Sequence, residues 1–345
     1  MTAESTTVAP MARPLVDRPK LRAGWITIAG KEFADHLLSF RLYVILVVLG
    51  VAAVVPLVFA ANYLKDAAAI VNELAAAGQL RAVFLALFTI QPQGIDLGPI
   101  SFTVQAFVAM AAPLLGIAFA FDSVNGERHE GTLPRLVSQP IHRDDVINGK
   151  FAGGLAAIAL ALTIVVLVIS GYGMLSLGIM PSLDEIVRLV LWLGVTVVYV
   201  ALWLAFGMML SVIVRRAATS ALVGFGAWLF VAMPFVGPLL LGLVGQFLSS
   251  GAATQADRLD TFQWLQRLLP GTVYQEASSA LLDPGKVSVS YADLASSQAA
   301  QQVSTQLSWD KSLEIVIPQI VLLFALTAAC FVVAYVRFMR QEVRA

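Results

Sequence analysis

The sequence predicts an all-α integral membrane protein with six transmembrane helices. Of its 345 residues, 59% are hydrophobic and only 13% are charged, and the mean hydropathy of +0.82 is far above that of soluble proteins. A bilayer core of about 30 Å is crossed by about 20 apolar helical residues. Apolar runs of that length occur six times, at about 43–64, 101–121, 151–177, 189–214, 217–248 and 313–336.

Two segments precede the first span. Residues 1–24 are polar, contain prolines and lack the apolar core of a signal peptide, which predicts a disordered cytoplasmic tail. In residues 25–42, WITIAGKEFADHLLSFRL, apolar side chains recur near helical spacing among charged ones. This pattern predicts an amphipathic helix in the membrane interface, although periodicity alone leaves open that it is only a juxtamembrane anchor.

The placement of basic residues predicts the orientation of the chain. Of the 22 Lys and Arg residues, fifteen fall on the side that holds the N-terminus and seven on the other side. Because basic residues accumulate on cytoplasmic loops, both termini, including the tail 337–345, are expected in the cytoplasm. The protein is accordingly expected to be a multi-pass protein of the plasma membrane.

A polar stretch, ERHEGTLPRLVSQPIHRDDVINGK at 127–150, separates the second and third predicted spans. Thr132 is a candidate N-cap, Pro134 suits a first helical turn, and Gln139 before Pro140 is a natural stop. These signals predict a short cytoplasmic helix. The next helix is expected to begin near Arg143, with two aspartates in its first turn.

The same stretch resembles the first intracellular loop of ABC-2 type transporter permeases. The resemblance rests on ERHEGTL from Glu127 to Leu133, on PIHR ending at Arg143, and on Gly149-Lys150. They match the family order E-x-x-x-G-T-L, P-x-x-R and G-K. The interfacial helix before six spans is also similar to this family, especially to its NosY-like and gliding-motility types. His142 departs from the family, where Ser or Thr commonly supplies the N-cap.

The resemblance implies that the loop is a coupling helix seated in a groove on a separate ABC ATPase subunit. It further implies an exporter containing two ATPase copies and a second permease copy or homologue, surrounded by membrane lipids and without nucleic acid. The implied coupling residues are Glu127, Glu130, Gly131, Thr132, Leu133, Arg135, Pro140, Arg143, Gly149 and Lys150. Those of the preceding elbow helix are Lys31, Glu32, Phe33, His36 and Arg41. A plain connecting loop with a solvated charged face is the alternative.

The chain has no ATPase motif of its own. A phosphate-binding GxxxxGK[ST] loop needs an upstream glycine and a following hydroxyl, and the Gly-Lys pairs at Gly30, Gly149 and Gly285 have neither. We therefore expect a subunit that is not an enzyme and binds no cofactor or metal, with ATP and magnesium on the partner. A passive membrane scaffold that recruits a cytoplasmic partner would show the same absence and stays an alternative.

Other functional classes fit less well. Ion-coupled transporters place ionisable residues inside spans, and Glu314 is the only such residue in the six predicted spans. An apolar lining is compatible with hydrophobic or amphipathic substrates. An intramembrane serine protease needs a histidine at membrane depth, but all three histidines lie outside the spans. Met208, Met209 and Met233 could suit copper(I), although filling space in the apolar core is the commoner role of methionine.

Small residues and long external loops complete the prediction. Gly149 with Gly153, and Gly207 with Ser211, form small-xxx-small pairs typical of close helix contacts. The external loops 65–100 and 249–312 are too long for turns, and in the second a helix is expected to end at Pro270 and another to follow. These loops could form a gate or a dock for an extracytoplasmic protein, or merely cap the helix ends.

Overall fold

The computed structural model describes residues 24–66, 83–90, 103–131, 142–232, 236–248, 265–283 and 308–340. Within these ranges the regular structure is helical. The helices are α1 Gly24–Leu38, α2 Phe40–Asp66, α3 Val83–Thr89, α4 Val104–Ala120, α5 Asn125–His129, α6 Arg143–Leu177, α7 Leu183–Ile213, α8 Ala217–Ala227, α9 Val236–Leu248, α10 Pro270–Leu282 and α11 Trp309–Met339.

Five of the described segments are long and apolar enough to cross a membrane. They are α2, α6, α7, α11 and the stretch Val104–His129, which runs from α4 through α5. They overlap the predicted spans one to four and six. α6 has 35 residues and α7 has 31, more than the roughly 20 that one crossing needs. Their extra turns supply most of the contacts described below.

The predicted fifth span, 217–248, is divided into shorter pieces. α8 has 11 residues and passes into a π-helical turn, Trp228–Ala232, before α9. The indole Nε1 of Trp228 donates to the carbonyl of Met110 in α4 at 2.9 Å. A π-turn widens the helix by one residue per turn and interrupts its regular bonding, so a single regular helix does not run through this segment. Residues 233–235, including Met233, lie outside the described residues.

α7 is the central helix and packs against α4, α6, α10 and α11. Its last turn contacts the α4–α5 junction, and its first turns contact α3, α10 and α11. We call the end of the bundle at the last turn of α7 the α1 end, and the end at the first turns of α7 the α10 end. The rings of Phe151 in α6 and Phe331 in α11 lie 4.9 Å apart. Since α1 packs on the first turns of α6, α1 and the last turns of α11 lie at the same end.

The two helices inside the predicted external loops are buried parts of the bundle. Four side chains of α3, including Phe84 and Phe88, are inaccessible to solvent. Along α10, Tyr274 and Leu281 are equally buried. α10 begins at Pro270 itself, since a proline in the first helical turn sacrifices no helical hydrogen bond. The helix expected after this proline thus includes it.

Polar bonds hidden from solvent fix α10 to α7. The indole of Trp192 donates to Ser278 Oγ at 2.6 Å, and the hydroxyls of Thr196 and Tyr274 are 2.8 Å apart. The rings of Tyr199 and Tyr274 are stacked, with centroids 4.4 Å apart and planes 8° from parallel. Buried polar groups are costly unless paired, so these contacts specify one register between the two helices.

Glu185 connects the start of α7 to α3. It closes a capping box with Ser182, whose backbone N–H and hydroxyl both donate to Glu185 Oε2 at 2.8 Å. The other carboxylate oxygen accepts from the N–H of Phe84 at 2.8 Å. The sequence Ser-Leu-Asp-Glu carries the capping signal, but its additional bond to α3 has no local signature.

Arg188, one of the seven basic residues that the count assigned to loops on the side opposite the N-terminus, lies inside the bundle and not in a loop. Its side chain is 1% exposed, and Nε donates to Asp184 at 2.6 Å. Nη1 donates to the carbonyl of Leu281 at 3.3 Å and to Ser312 Oγ at 3.0 Å. One guanidinium therefore contacts α7, α10 and the start of α11, and its five donors explain why an arginine is tolerated there.

Candidate functional site

α1 contacts the first turns of α6 through two glycines. A Cβ on Gly149 would lie 2.6 Å from Ile28 Cβ and 2.9 Å from the carbonyl of Trp25. A Cβ on Gly153 would lie 2.7 Å from the carbonyl of Ala29. Distances below 3.0 Å are not tolerated without a shift of backbone. The two small residues, four positions apart, therefore set how closely the two helices approach.

Lys150 follows Gly149 and joins three elements. Its side chain is 5% exposed, and Nζ lies 2.7 Å from Oε1 of Glu127 in α5 and 2.9 Å from Oε1 of Glu32 in α1. The carboxylate side chains are 22% and 13% exposed. Charge-assisted bonds at these distances are stronger than neutral ones. We call these three residues the Lys150 junction.

The first glutamate of the motif is positioned by the last turns of α7. Ser211 Oγ accepts the N–H groups of Val124 at 3.0 Å and Asn125 at 3.2 Å, where the chain enters α5. One turn earlier, a Cβ on Gly207 would lie 3.0 Å from Ala120 Cβ, so the glycine admits the end of α4. This small-xxx-small pair makes a contact within one chain, and it orients α5 towards α6.

Arg41 and Asp122 make a second connection at this end. Two parallel bonds join the guanidinium to the carboxylate, at 3.0 and 2.6 Å, and Arg41 Nη1 also donates to the carbonyl of Ala118 at 2.9 Å. The guanidinium carbon lies 5.1 Å from the ring centroid of Phe121. The chain leaves helical geometry at Ser39, so Arg41 belongs to α2 and not to the predicted elbow helix.

The other predicted elbow residues lie along α1. Lys31 is exposed and pairs with Asp35 at 2.9 Å, and this bond is the main cause that raises the pKa of the Lys31 ammonium. The ring of His36 lies 4.8 Å from that of Phe119, and burial lowers the imidazole pKa. Phe33 is half-buried and packs against the core. α1 therefore presents one face to the bundle and one to solvent.

The remaining motif residues divide into two groups. Glu130 and Gly131 are exposed at the end of α5, and Gly131 has a φ of +70°, a conformation that favours glycine. Arg143 begins α6 after His142, whose side chain makes no capping bond, in line with its departure from the family pattern. Four predicted residues lie outside the described residues: Thr132, Leu133, Arg135 and Pro140.

Sequence reasoning missed Asp122, Glu185 and Arg188. A weak signal exists for the first, because Asp122 directly follows an apolar run while Arg41 directly precedes another. Opposite charges at two helix ends on one predicted side are candidates for pairing. For Arg188, an aspartate four residues earlier offered a helical ion pair, but nothing local indicated its bonds to α10 and α11.

The geometry of the site favours a mechanical role. Its charged groups bind one another across α1, α2, the turn after α4, α5 and α6. Among the described residues no group of three or more histidine, cysteine or acidic side chains is arranged to hold a metal ion. Met208 is buried in the helical core, and Met209 packs against that core. The site is thus built to hold helix ends together.

Comparison with known proteins identifies similar sequences. Residues 26–343 match the model of a family described as ABC-2 family transporter protein. A probable ABC transporter permease protein NosY from Pseudomonas aeruginosa is 29% identical over 182 residues, which is 50% of this chain and 62% of that protein. A protein of the same description from Stutzerimonas stutzeri is 28% identical over 182 residues, or 50% and 61% of the two chains. The matched region thus spans about three fifths of each relative.

Proposed function

The chain belongs to the ABC-2 family of transporter proteins, and from this premise we propose that it is a membrane permease subunit driven by a separate ATPase. In this proposal ATP closes the ATPase subunits at the α1 end of the bundle. The loop after α5 and the elbow helix α1 move with them. The spans then change their packing and open a path for a hydrophobic or amphipathic substrate to leave the cell, or for the assembly of an extracytoplasmic factor.

The Lys150 junction is the observation that carries the proposal. Lys150 belongs to α6, Glu127 to the start of the motif loop and Glu32 to α1, so one ammonium bonds all three elements. Breaking a buried pair leaves an uncompensated charge, which costs about 3–5 kcal/mol. A force applied to the loop is therefore passed to α6 and α1 before the junction separates.

The Arg41–Asp122 pair supports the same role for α2 and α4. The bidentate bond fixes both the distance and the angle between the two helix ends. With the Lys150 junction, it joins α1, α2 and the turn after α4 to α5 and α6, the helices on either side of residues 132–140. These bonds oppose a movement of the loop against any one of these helices. A displacement of the loop should therefore move the helix ends at the α1 end together.

We further propose the orientation and the number of crossings. The basic residues that were counted on the side of the N-terminus lie at the α1 end where they are described, so this end is assigned to the cytoplasm. α7 ends there, whereas α11 starts at the α10 end. The chain must return between them, and α8, the π-turn and α9 are the segment available for a sixth crossing. Two copies of the chain, or this chain and a homologue, would bind two ATPase copies in the plasma membrane.

Co-purification from native membranes tests the proposal. The tagged chain is isolated in mild detergent, and the ATPase activity of the complex is measured for wild type, Glu130→Ala, Lys150→Met and the control Lys311→Ala. Glu130 is exposed beside the loop, so its alanine variant should weaken partner binding without unfolding the chain. Lys150→Met should retain the partner but lose the stimulation of its ATPase. Lys311→Ala, which changes an exposed lysine at the α10 end of the bundle, should behave as wild type.

Three results would overturn the proposal. Failure to recover an ABC ATPase in several detergents, or wild-type activity in both test variants, would leave the loop as a connector and favour a scaffold. Transport that follows a proton gradient without ATP would favour an ion-coupled carrier.

A further inference from the structure

A shallow groove lies at the end of α11. It has a volume of about 310 Å³, and its described lining is Val332, Val333, Val336, Arg337 and Arg340. At 100° per residue these five positions fall within an arc of about 140° on one face of the helix. The three valines come first along the chain and the two arginines lie at its end. The groove is therefore apolar towards the bilayer core and basic towards the α1 end.

The two arginines are exposed. Among the described residues, neither guanidinium lies within 4.0 Å of a carboxylate, whereas Arg41 and Arg188 both have one. Each guanidinium offers a planar set of donors that matches two oxygens of a phosphate. The three-residue spacing puts both on the same side of the helix, one turn apart. This is a site of positive charge that no described carboxylate neutralises.

The valines are 56%, 47% and 40% exposed. From Val332 to Arg340 the helix rises about 12 Å, close to the roughly 15 Å depth of one hydrocarbon leaflet. A ligand that fills the groove must therefore present alkyl chain beside the valines and negative charge beside the arginines. A free phosphate would leave the apolar half empty.

We propose that this groove binds an anionic glycerophospholipid, with its phosphate on Arg337 and Arg340 and an acyl chain along the valines. Charge complementarity selects an anionic lipid over a zwitterionic one, whose cationic group would face the arginines. The site needs only that the chain spans a membrane and does not depend on ATP coupling. The leaflet it faces follows from the proposed orientation, which makes it the cytoplasmic one.

The test is titration of fluorescent phosphatidylglycerol into the full-length chain in a neutral detergent, with phosphatidylcholine as the reference lipid. Wild type should bind phosphatidylglycerol more tightly than phosphatidylcholine. Arg337→Gln combined with Arg340→Gln should weaken phosphatidylglycerol binding about 30-fold, the effect of two basic residues at a membrane surface. Val333→Trp, which fills the apolar half while retaining both charges, should also weaken it.

Arg215→Gln combined with Arg216→Gln is the matched control, because these arginines are exposed at the same end but outside the groove. This pair should retain wild-type affinity. An equal loss in the control would indicate general surface electrostatics and overturn the proposal, as would equal affinity for the two lipids. Displacement of phosphatidylglycerol by glycerol phosphate at matched concentration would identify the ligand as a soluble anion. Thermal unfolding midpoints near wild type would exclude misfolding of the variants.

Discussion

Lys150 and Glu127 are 23 residues apart in the sequence, and their charged atoms are 2.7 Å apart in the structure. The first residue of the family motif thus bonds directly to its last. Between them the chain leaves α5, passes through residues 132–140 and returns in α6. The motif is accordingly a closed unit with both ends fixed, and Glu32 fixes the same unit to α1.

Replacing Lys150 with methionine should destabilise the protein by roughly 3 kcal/mol. The apolar stem is retained, but both carboxylates lose the buried ammonium that bonds them at 2.7 and 2.9 Å, which is the costly way to break a buried pair. The estimate is at the low end because both carboxylates keep some contact with solvent. The measurement is chemical unfolding in mild detergent. Lys31→Met, at an exposed pair, should change stability by less than about 0.5 kcal/mol, and equal effects of the two variants would contradict the prediction.

Gly149→Ala should push α1 away from α6. The new methyl group would lie 2.6 Å from Ile28 Cβ and 2.9 Å from a backbone carbonyl, neither of which can move without moving α1. We expect a net loss of roughly 1–2 kcal/mol, since overpacking costs more than the gain in helix propensity returns. Gly171→Ala in the same helix meets no atom within 4 Å and should be neutral or stabilising. Thermal midpoints of the two variants decide the matter, and similar values would count against close α1–α6 packing.

Much of the bundle could be predicted from the sequence because bilayer crossing imposes a local rule. A run of about 20 apolar residues is visible without knowing what it packs against, and so α2, α4, α6, α7 and α11 lie where such runs occur. The resemblance to ABC-2 permeases was likewise visible in short motifs that occur in a fixed order. Capping at Ser182 also has a local signal, since Glu185 stands three residues later.

Long-range pairing had no comparable local signal. Arg41 and Asp122 are 81 residues apart, and Glu185 and Phe84 are 101 apart. Neither partner identifies the other, because a charged residue at a helix end is equally consistent with solvent exposure. The burial of α3 and α10 was missed for a related reason. Their segments are too short or too polar to span a bilayer, so hydropathy alone assigned them to loops.

Gly131→Ala and Gly178→Ala form a matched pair for the role of the loop. Both glycines follow helices with positive φ, +70° and +68°, and neither would place a Cβ within 4 Å of another atom. The backbone strain should therefore be similar, about 1–2 kcal/mol in each case. Only Gly131 leads into residues 132–140. We expect Gly131→Ala alone to reduce stimulation of the partner ATPase, with Gly131→Asn closer to wild type, and equal activity of the two alanine variants would argue against this.

The stability of the protein should fall in mild acid because of His36. Burial is the main cause that lowers its pKa, and Lys150 and Arg41 act in the same direction, while Glu32 and Asp122 oppose them. The unfolded imidazole, with an ordinary pKa of 6.5, then binds a proton more readily than the folded one. The contribution of neutral His36 to stability is complete above about pH 6.5 and is lost as the pH falls through the lower pKa of the folded protein.

Thermal midpoints between pH 8 and 5 should decline less for His36→Gln than for wild type. His129→Gln, at an exposed position, should retain the wild-type slope, and an unchanged slope in His36→Gln would refute the assignment.

Arg188→Met should loosen α10 without affecting the α1 end. It removes the donor shared by Leu281 and Ser312, while Asp184, whose side chain is 45% exposed, regains water. The expected loss is roughly 2–3 kcal/mol, smaller than for a fully buried pair. Ser312→Ala removes one of these bonds and should cost about 1 kcal/mol.

Hydrogen exchange locates the effect: amides near the end of α10 should exchange faster in Arg188→Met, whereas those of α1 should not change. The opposite pattern is expected for Lys150→Met, because its bonds are all at the other end of the bundle. If both variants accelerate exchange throughout the chain, the two ends unfold as one cooperative unit, and Arg188 does not control α10 separately.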